Sequence, residues 1–553
     1  MPINSSSHSY IPDLWYPSSQ ITTHFTNPLL MISSGSSFDL LRLLVALLLP
    51  WGVCIMLTAT KRIAQNIWSP IPGPNLAKFS NLWIQYNVLR DSGRVWETIH
   101  KLHLKYGSVV RIAPNSVSVC HPDALRTIYH GPRGLNGGVL LSTLRQYNSE
   151  NLVSTLNSDL HFSRRRHVFG LYSAPVVAGS AYQAVFRTYI NQFMESVENE
   201  ASSSPSRAAN GLEWVTWLTG DIMIRLVYGN EHNIRLLADK GSRDTMSELV
   251  PKTNASNTTA LEAIATLYPR AISHIRAFFP EKSAMAEFGM KQVESALSNQ
   301  AKQEASETDG SPITHLSRLV GLFHSEGPSP EIPDKRYIAS DCLDHFIAGT
   351  RTTNDLLGAV LWRLSLPENE ASQEKLRQEL HDAGIKPGEH PDLSTLQKLS
   401  YLNCVLKETL RTNPPIPIQL PRVVKDDEAL TVMGFKIEPG TNIASQSYTL
   451  HQDPNPYPDP EKWKPERWEI SPKSDEYRQM QRSFWPFGSG ARMCTGMNVA
   501  WAMSRSIIAR IFSTYSVSLD DVWLDGNGLL LPPEKRKDLY PSLPNQPLRF
   551  KKI

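Results

Sequence analysis

Phe487-Gly488-Ser489-Gly490-Ala491-Arg492-Met493-Cys494-Thr495-Gly496 lies near the C-terminal end of a 553-residue chain. These residues describe a loop that holds one cysteine still. Glycines at 488, 490 and 496 permit positive φ and let a ligand approach the backbone closely. The amides of such a turn point inward and favour negative charge on a sulfur beside them. Arg492 places a cation two residues before the sulfur, which favours thiolate over thiol. Phe487 offers an apolar wall. The following stretch (Met497, Val499, Ala500, Trp501, Ala502, Ile507, Ile508) is apolar with few breakers. It reads as a buried helix whose positive end faces Cys494. Other uses of the pattern fail. A dinucleotide loop needs glycine at 493, where Met493 stands. A zinc site needs a second Cys or His close by, and none lies within ten residues of Cys494.

The stretch matches, at every fixed position, the heme-binding loop F-x-x-G-x-R-x-C-x-G of the cytochrome P-450 monooxygenases. The chain resembles that family over about 70–540. The resemblance implies that Cys494 is the axial thiolate on the iron of heme b, with Phe487, Gly488 and Arg492 around it. It implies a mainly helical domain with a small β-rich lobe. The expected reaction is insertion of one atom of dioxygen into a hydrophobic small molecule. No G-x-G-x-x-G follows a strand, so NADPH electrons are expected from a separate membrane-bound flavoprotein reductase, docking on the basic face near Cys494. Charge reversal there should slow reduction without changing heme content.

Periodicity predicts one long helix over about 338–366, ended by Pro367. At its centre stands Ala348-Gly349-Thr350-Arg351-Thr352-Thr353. The small pair Ala348-Gly349 lets a flat ligand approach the helix. Thr352 can divert a main-chain hydrogen bond and open a bulge for water. The stretch resembles the family's oxygen-activating motif A-G-x-[DE]-T-T, with Thr352 as the last proton donor. Arg351 departs from it, standing where the family carries an acid. An arginine cannot relay protons as a carboxyl does. Asp355, one turn on, is placed to pair with Arg351. The departure also keeps open a heme-thiolate isomerase or dehydratase that works without reductase; a non-enzymatic heme sensor leaves Thr352 without a use.

Glu408 and Arg411 lie three apart on a predicted helix. Followed by Asn413-Pro-Pro-Ile-Pro417 and by Trp463-Lys-Pro-Glu-Arg467-Trp468, they resemble the family's structural triad of Glu408, Arg411 and Arg467. His161 and Arg165, one turn apart, resemble a propionate-binding pair with His161 replacing the usual Trp; Arg164 and Arg166 read as a solvated face. By the same resemblance Arg422 reaches a propionate. Residues 414–418 and the proline-rich loop near 540 are expected to face substrate.

Composition excludes other classes. A formal net charge of +3, without a basic run interleaved with aromatics, gives no nucleic-acid surface. Five scattered cysteines argue against a disulfide framework. Residues 1–37 read as a lumenal tail, with a glycosylation sequon at Asn4. Residues 38–60 read as a transmembrane anchor followed by Lys61 and Arg62, which places the bulk of the chain on the cytosolic side of the endoplasmic reticulum. Residues 61–76 read as a proline-rich hinge and 77–553 as the heme domain. The long tail, the PERW form and His161 resemble fungal secondary-metabolism members of the family.

Overall fold

Lys335–Ser365, 31 residues, is the helix against which the others pack. Asp334 starts it, its carboxylate accepting from the amides of Arg336 and Tyr337. Pro367, two residues past its end, cannot continue it. We analysed a computed structural model that describes residues 69–521 and 548–553, apart from 91–93, 132–133, 205–207, 231–232, 248–282, 299–311 and 426–428. It also describes Leu49, Val53, Met56, Leu57 and Thr60.

The elements used below are numbered in chain order. The helices are α1 (Val95–Tyr106), α2 (Pro122–Tyr129), α3 (Ser158–Val168), α4 (Ser180–Ser203), α5 (Gly211–Tyr228), α6 (His315–Glu326), α7 (Lys335–Ser365), α8 (Glu370–Asp382), α9 (Ser400–Thr412) and α10 (Met497–Phe512). Helix α5 is apolar around most of its circumference, and all but Glu213 and Trp214 are buried. Such a helix belongs inside, and it lies along α7. Helices α9 and α10 pack on other faces of α7, so the main apolar core is shared by α4, α5, α7, α9 and α10.

The second core lies under a five-stranded sheet. Its strands are β1 (Val109–Ala113), β2 (Ser116–Val119), β3 (Asn136–Gly137), β4 (Arg422–Val423) and β5 (Asn442–Ala444). Strands β1 and β2 form a hairpin, pairing Val109 with Val119. Strand β2 then runs parallel to β5, and β4 joins β5 to β3. Arg422 on β4 is buried.

Residues 70–74 are not a free spacer. Ile71 is buried in the sheet's core, and the Arg111 amide donates to the Pro72 carbonyl at 2.8 Å. The expected membrane span at 38–60 lies outside the described residues except for the positions named above. Among the described residues no helix is long and apolar enough to cross a membrane. The tail at 1–37, with Asn4, and the loop near 540 also lie outside them.

Candidate functional site

The cysteine loop is closed by its own backbone: the Cys494 amide donates to the Phe487 carbonyl at 2.9 Å. Gly490 has φ 72°, in the left-handed region, and a Cβ there would collide with the Tyr129 carbonyl. Gly488 also has positive φ, 66°. Gly496 departs from expectation, with φ −84°. A Cβ there would meet no protein atom within 4 Å, so open space lies beside Gly496. Phe487 packs its ring against Trp501 at 5.9 Å, on the main core.

Cys494 is surrounded by protein, yet its side chain is exposed, so it looks into an internal opening. Burial pushes its thiol up, while the Gly496 amide and the Arg165 guanidinium pull it down. The cation acting on the sulfur is therefore Arg165, not Arg492 as chain spacing suggested. Arg165 donates to the Met493 carbonyl at 2.7 Å and the Thr495 hydroxyl at 2.9 Å, gripping the loop on both sides of the cysteine. Arg492 turns to the carbonyls of Thr155 and Leu156, at 2.6 and 2.9 Å.

Arg165, Arg422 and Arg492 share one field. Burial, and then the charges of Arg492, Arg165 and Arg422, hold the buried His161 down at about 2, so its ring is neutral. Arg422 lies 4.8 Å over the Tyr129 ring and donates to the Pro421 carbonyl. None of the three guanidiniums makes an ion pair with a carboxylate among the described residues. Enclosed cations gathered without an anion are costly, and a dianion among them relieves that cost. With the opening beside Cys494 and Gly496, these residues fit a flat, iron-bearing heme that carries two carboxylates.

Arg164 corrects the expectation of a solvated face. It is buried, salt-bridged to Glu150 at 2.7 Å and stacked 4.4 Å over the Tyr337 ring. Only Arg166 of that pair is exposed.

Helix α7 runs as unbroken α-helix through 348–353, so the expected bulge is absent. Thr352 Oγ1 donates to the Ala348 carbonyl at 2.7 Å instead. Residues 344, 348, 351, 352 and 355 form one stripe at helical spacing, and all are at least partly exposed, whereas 342, 343, 346, 350 and 353 are buried. Gly349 is off that stripe. A Cβ there would collide with the Met223 side chain on α5, so its small size serves helix packing rather than ligand approach. Burial pushes the Asp355 carboxyl up to about 7, with Arg351 opposing, which bears out their expected proximity.

Glu408 and Arg411 are fully buried and doubly hydrogen-bonded, at 2.7 and 2.9 Å. Arg467 Nε and the Lys464 amide join Glu408 at 2.9 Å, and Trp468 Nε1 at 3.0 Å. Every carboxylate lone pair is used, which is what makes a buried charge tolerable. Arg411 also donates to the His451 carbonyl at 2.9 Å.

His451 was not singled out from the sequence, because nothing in chain spacing joins it to the loop. Its Nε2 accepts from the Trp485 amide at 2.9 Å, and Trp485 Nε1 donates to Ser489 at 2.9 Å. The network therefore reaches the cysteine loop. Burial and then Arg411 lower His451 to about 3, so Nδ1 carries the proton donated to the Arg411 carbonyl. In the unfolded chain an ordinary histidine binds a proton near 6.5, so the unfolded form takes up protons first as pH falls. Stability contributed by His451 is thus complete above about 6.5 and lost toward about 3, by up to about 1.4 kcal/mol per pH unit. Acid titration of cofactor absorbance checks this: His451→Gln should flatten the pH dependence of cofactor loss below about 6.5.

Tyr129 was missed as well. Its hydroxyl donates to Leu420 and accepts from the Ser445 amide, both at 2.8 Å, while its carbonyl lies against Gly490. A third unforeseen group is His315, Asp341 and His345, whose ligand atoms lie within 4.8 Å of one another. Both nitrogens of His315 are engaged, by Tyr172 and Asp341, and Asp341 takes the Leu152 amide at 2.6 Å. The group clamps the loop before α3 to α6 and α7.

The family model described as Cytochrome P450 matches residues 71–537. Cytochrome P450 monooxygenase astB of Aspergillus terreus is 27% identical over 482 residues, covering 85% of this chain and 90% of that protein. Cytochrome P450 monooxygenase BOT1 of Botryotinia fuckeliana is 25% identical, covering 87% and 94%. Cytochrome P450 monooxygenase orf2 of Aspergillus niger is 28% identical, covering 83% and 88%.

Proposed function

The chain belongs to the cytochrome P450 family, and on that premise we propose that it inserts one atom of dioxygen into a hydrophobic small molecule of secondary metabolism. The outcome on substrate is hydroxylation, epoxidation or oxidative ring formation. The observation that carries this reading is the exposed Cys494 on its glycine loop, with Arg165, Arg422 and Arg492 sharing one field and paired with no carboxylate among the described residues. Cys494 would supply the thiolate, and Arg165, Arg422 and Arg492 would hold the heme carboxylates, with His161 as a neutral partner among them. Bound there, thiolate-ligated heme supplies dioxygen activation, the thiolate favouring O–O cleavage.

The chain's own residues do the rest. Thr352 presents a partly exposed hydroxyl, whose proton rests on the Ala348 carbonyl. Ile416 and Ile418, 44% and 38% exposed, present apolar side chains suited to an apolar substrate. Glu408, Arg411 and Arg467 keep the cysteine loop fixed. The electrons would come from NADPH through a membrane-bound flavoprotein reductase. An anchor at 38–60 would hold the chain at the endoplasmic reticulum, with the heme domain cytosolic.

The test is turnover of a binding-selected substrate by heme-loaded protein with reductase and NADPH under ¹⁸O₂. Incorporation of one labelled oxygen is expected. Product formed without dioxygen or reductase would favour the isomerase or dehydratase reading that Arg351 leaves open.

A further inference from the structure

The acid missing at 351 has a counterpart on the same stripe of α7. We propose that Asp355, held beside Arg351, supplies the protons consumed in dioxygen reduction by way of Thr352, in place of a carboxyl at 351. The inference rests on the monooxygenase reading above.

Asp355 lies three residues after Thr352, so their Cβ atoms are neighbours at about 5–6 Å. It lies four after Arg351, the spacing of an ion pair. Asp355 and Thr352 are both partly exposed and lie on the same stripe of α7. The Thr352 hydroxyl donates to the Ala348 carbonyl, so the Asp355 carboxyl would reach its oxygen through water rather than by a direct bond. Arg351 is the charged group that acts on Asp355. On helices packed against α7, Asp221 of α5 is committed to the amides of Leu236 and Leu237, and Glu408 and Arg411 of α9 to each other. On α5 the uncharged Thr216 donates to Asn354, the residue before Asp355.

A proton donor works best when it both loses and regains its proton near the working pH. Asp355, at about 7, meets that condition. Asp344, the other carboxyl on the stripe, does not. Burial and the charge of Asp341 push it well above the usual carboxylate range, so it stays protonated, and it lies two turns from Thr352. Arg351 then has a role other than proton relay. It keeps the neighbouring carboxyl from rising further and so keeps it exchangeable. The stoichiometry closes: substrate, dioxygen, two electrons from the reductase and two protons give the oxygenated product and one water. Asp355 returns to its protonated state from water in the opening.

The experiment compares wild type, Asp355→Asn and Asp355→Glu as heme-loaded protein. Asp355→Asn should keep heme content and substrate-binding spectra, lower product per NADPH at least about tenfold and release peroxide instead. Turnover driven by hydrogen peroxide, which brings its electrons and protons with it, should stay unchanged. Asp355→Glu should restore most of the coupling. In the resting protein, a protonated-carboxyl infrared band titrating near neutral pH should vanish in Asp355→Asn, while the Asp344 band stays. Unchanged coupling in Asp355→Asn would overturn the proposal, as would an equal loss of peroxide-driven turnover or a neutral-pH band that survives. Wild-type turnover that needs no dioxygen would overturn the monooxygenase reading itself, and this proposal with it, before any variant is compared.

Discussion

Glu408→Ala is expected to give a chain that cannot retain heme. The carboxylate is fully buried and accepts from Arg411, Arg467, Trp468 and the Lys464 amide. Removing it leaves Arg411, also fully buried, with no carboxylate beside it. Loss of one member of a buried charge network costs about 3–5 kcal/mol, a large share of the stability of a typical domain. The damage reaches the cofactor because the bonds continue from Arg411 to the His451 backbone, from its ring to Trp485, and from Trp485 to Ser489 in the cysteine loop. Glu408→Gln keeps some acceptors but loses the charge, so an intermediate loss is expected. The measurement is heme per polypeptide after purification, alongside thermal unfolding. A soluble Glu408→Ala protein with full heme occupancy would show that the network does not support the loop.

How far the sequence could be read depends on whether a residue's partner is near in the chain. The cysteine loop and the long helix were legible because their residues lie in one stretch with local rules for glycine spacing and apolar period. The Glu408–Arg411 pair was legible for the same reason, and Arg467 through its flanking tryptophans and proline. What stayed hidden depends on tertiary contacts. Arg492, two residues from the sulfur in sequence, spends its guanidinium on Thr155 and Leu156, while Arg165, some 330 residues away by chain, reaches the loop. Gly349 looked like room for a ligand but accommodates Met223 from another helix. His451 carried no motif, because its importance lies in two bonds to segments distant in sequence. Arg164 looked solvated because its partners, Glu150 and the carbonyls of Pro330 and Glu331, come from separate loops.

The second large effect falls on Cys494. Cys494→Ala removes the exposed sulfur beside Arg165 and Gly496. The three guanidiniums and the apolar wall at Phe487 remain, so heme binding should weaken rather than disappear. Dioxygen-dependent turnover should fall below detection, because the electron-rich thiolate that favours O–O cleavage is gone. Cys494→Ser should behave alike. Retention of turnover in either variant would place the ligand elsewhere, and Cys342 and Cys404, both buried within the helical core, are poorly placed for it.

X-ray absorption at the iron edge of the heme-loaded protein tests the central claim most directly. A single sulfur scatterer bound to iron in wild type, absent from Cys494→Ala while the porphyrin nitrogens remain, is the predicted result. An iron centre without sulfur in wild type, or one whose sulfur persists in Cys494→Ala, would contradict it.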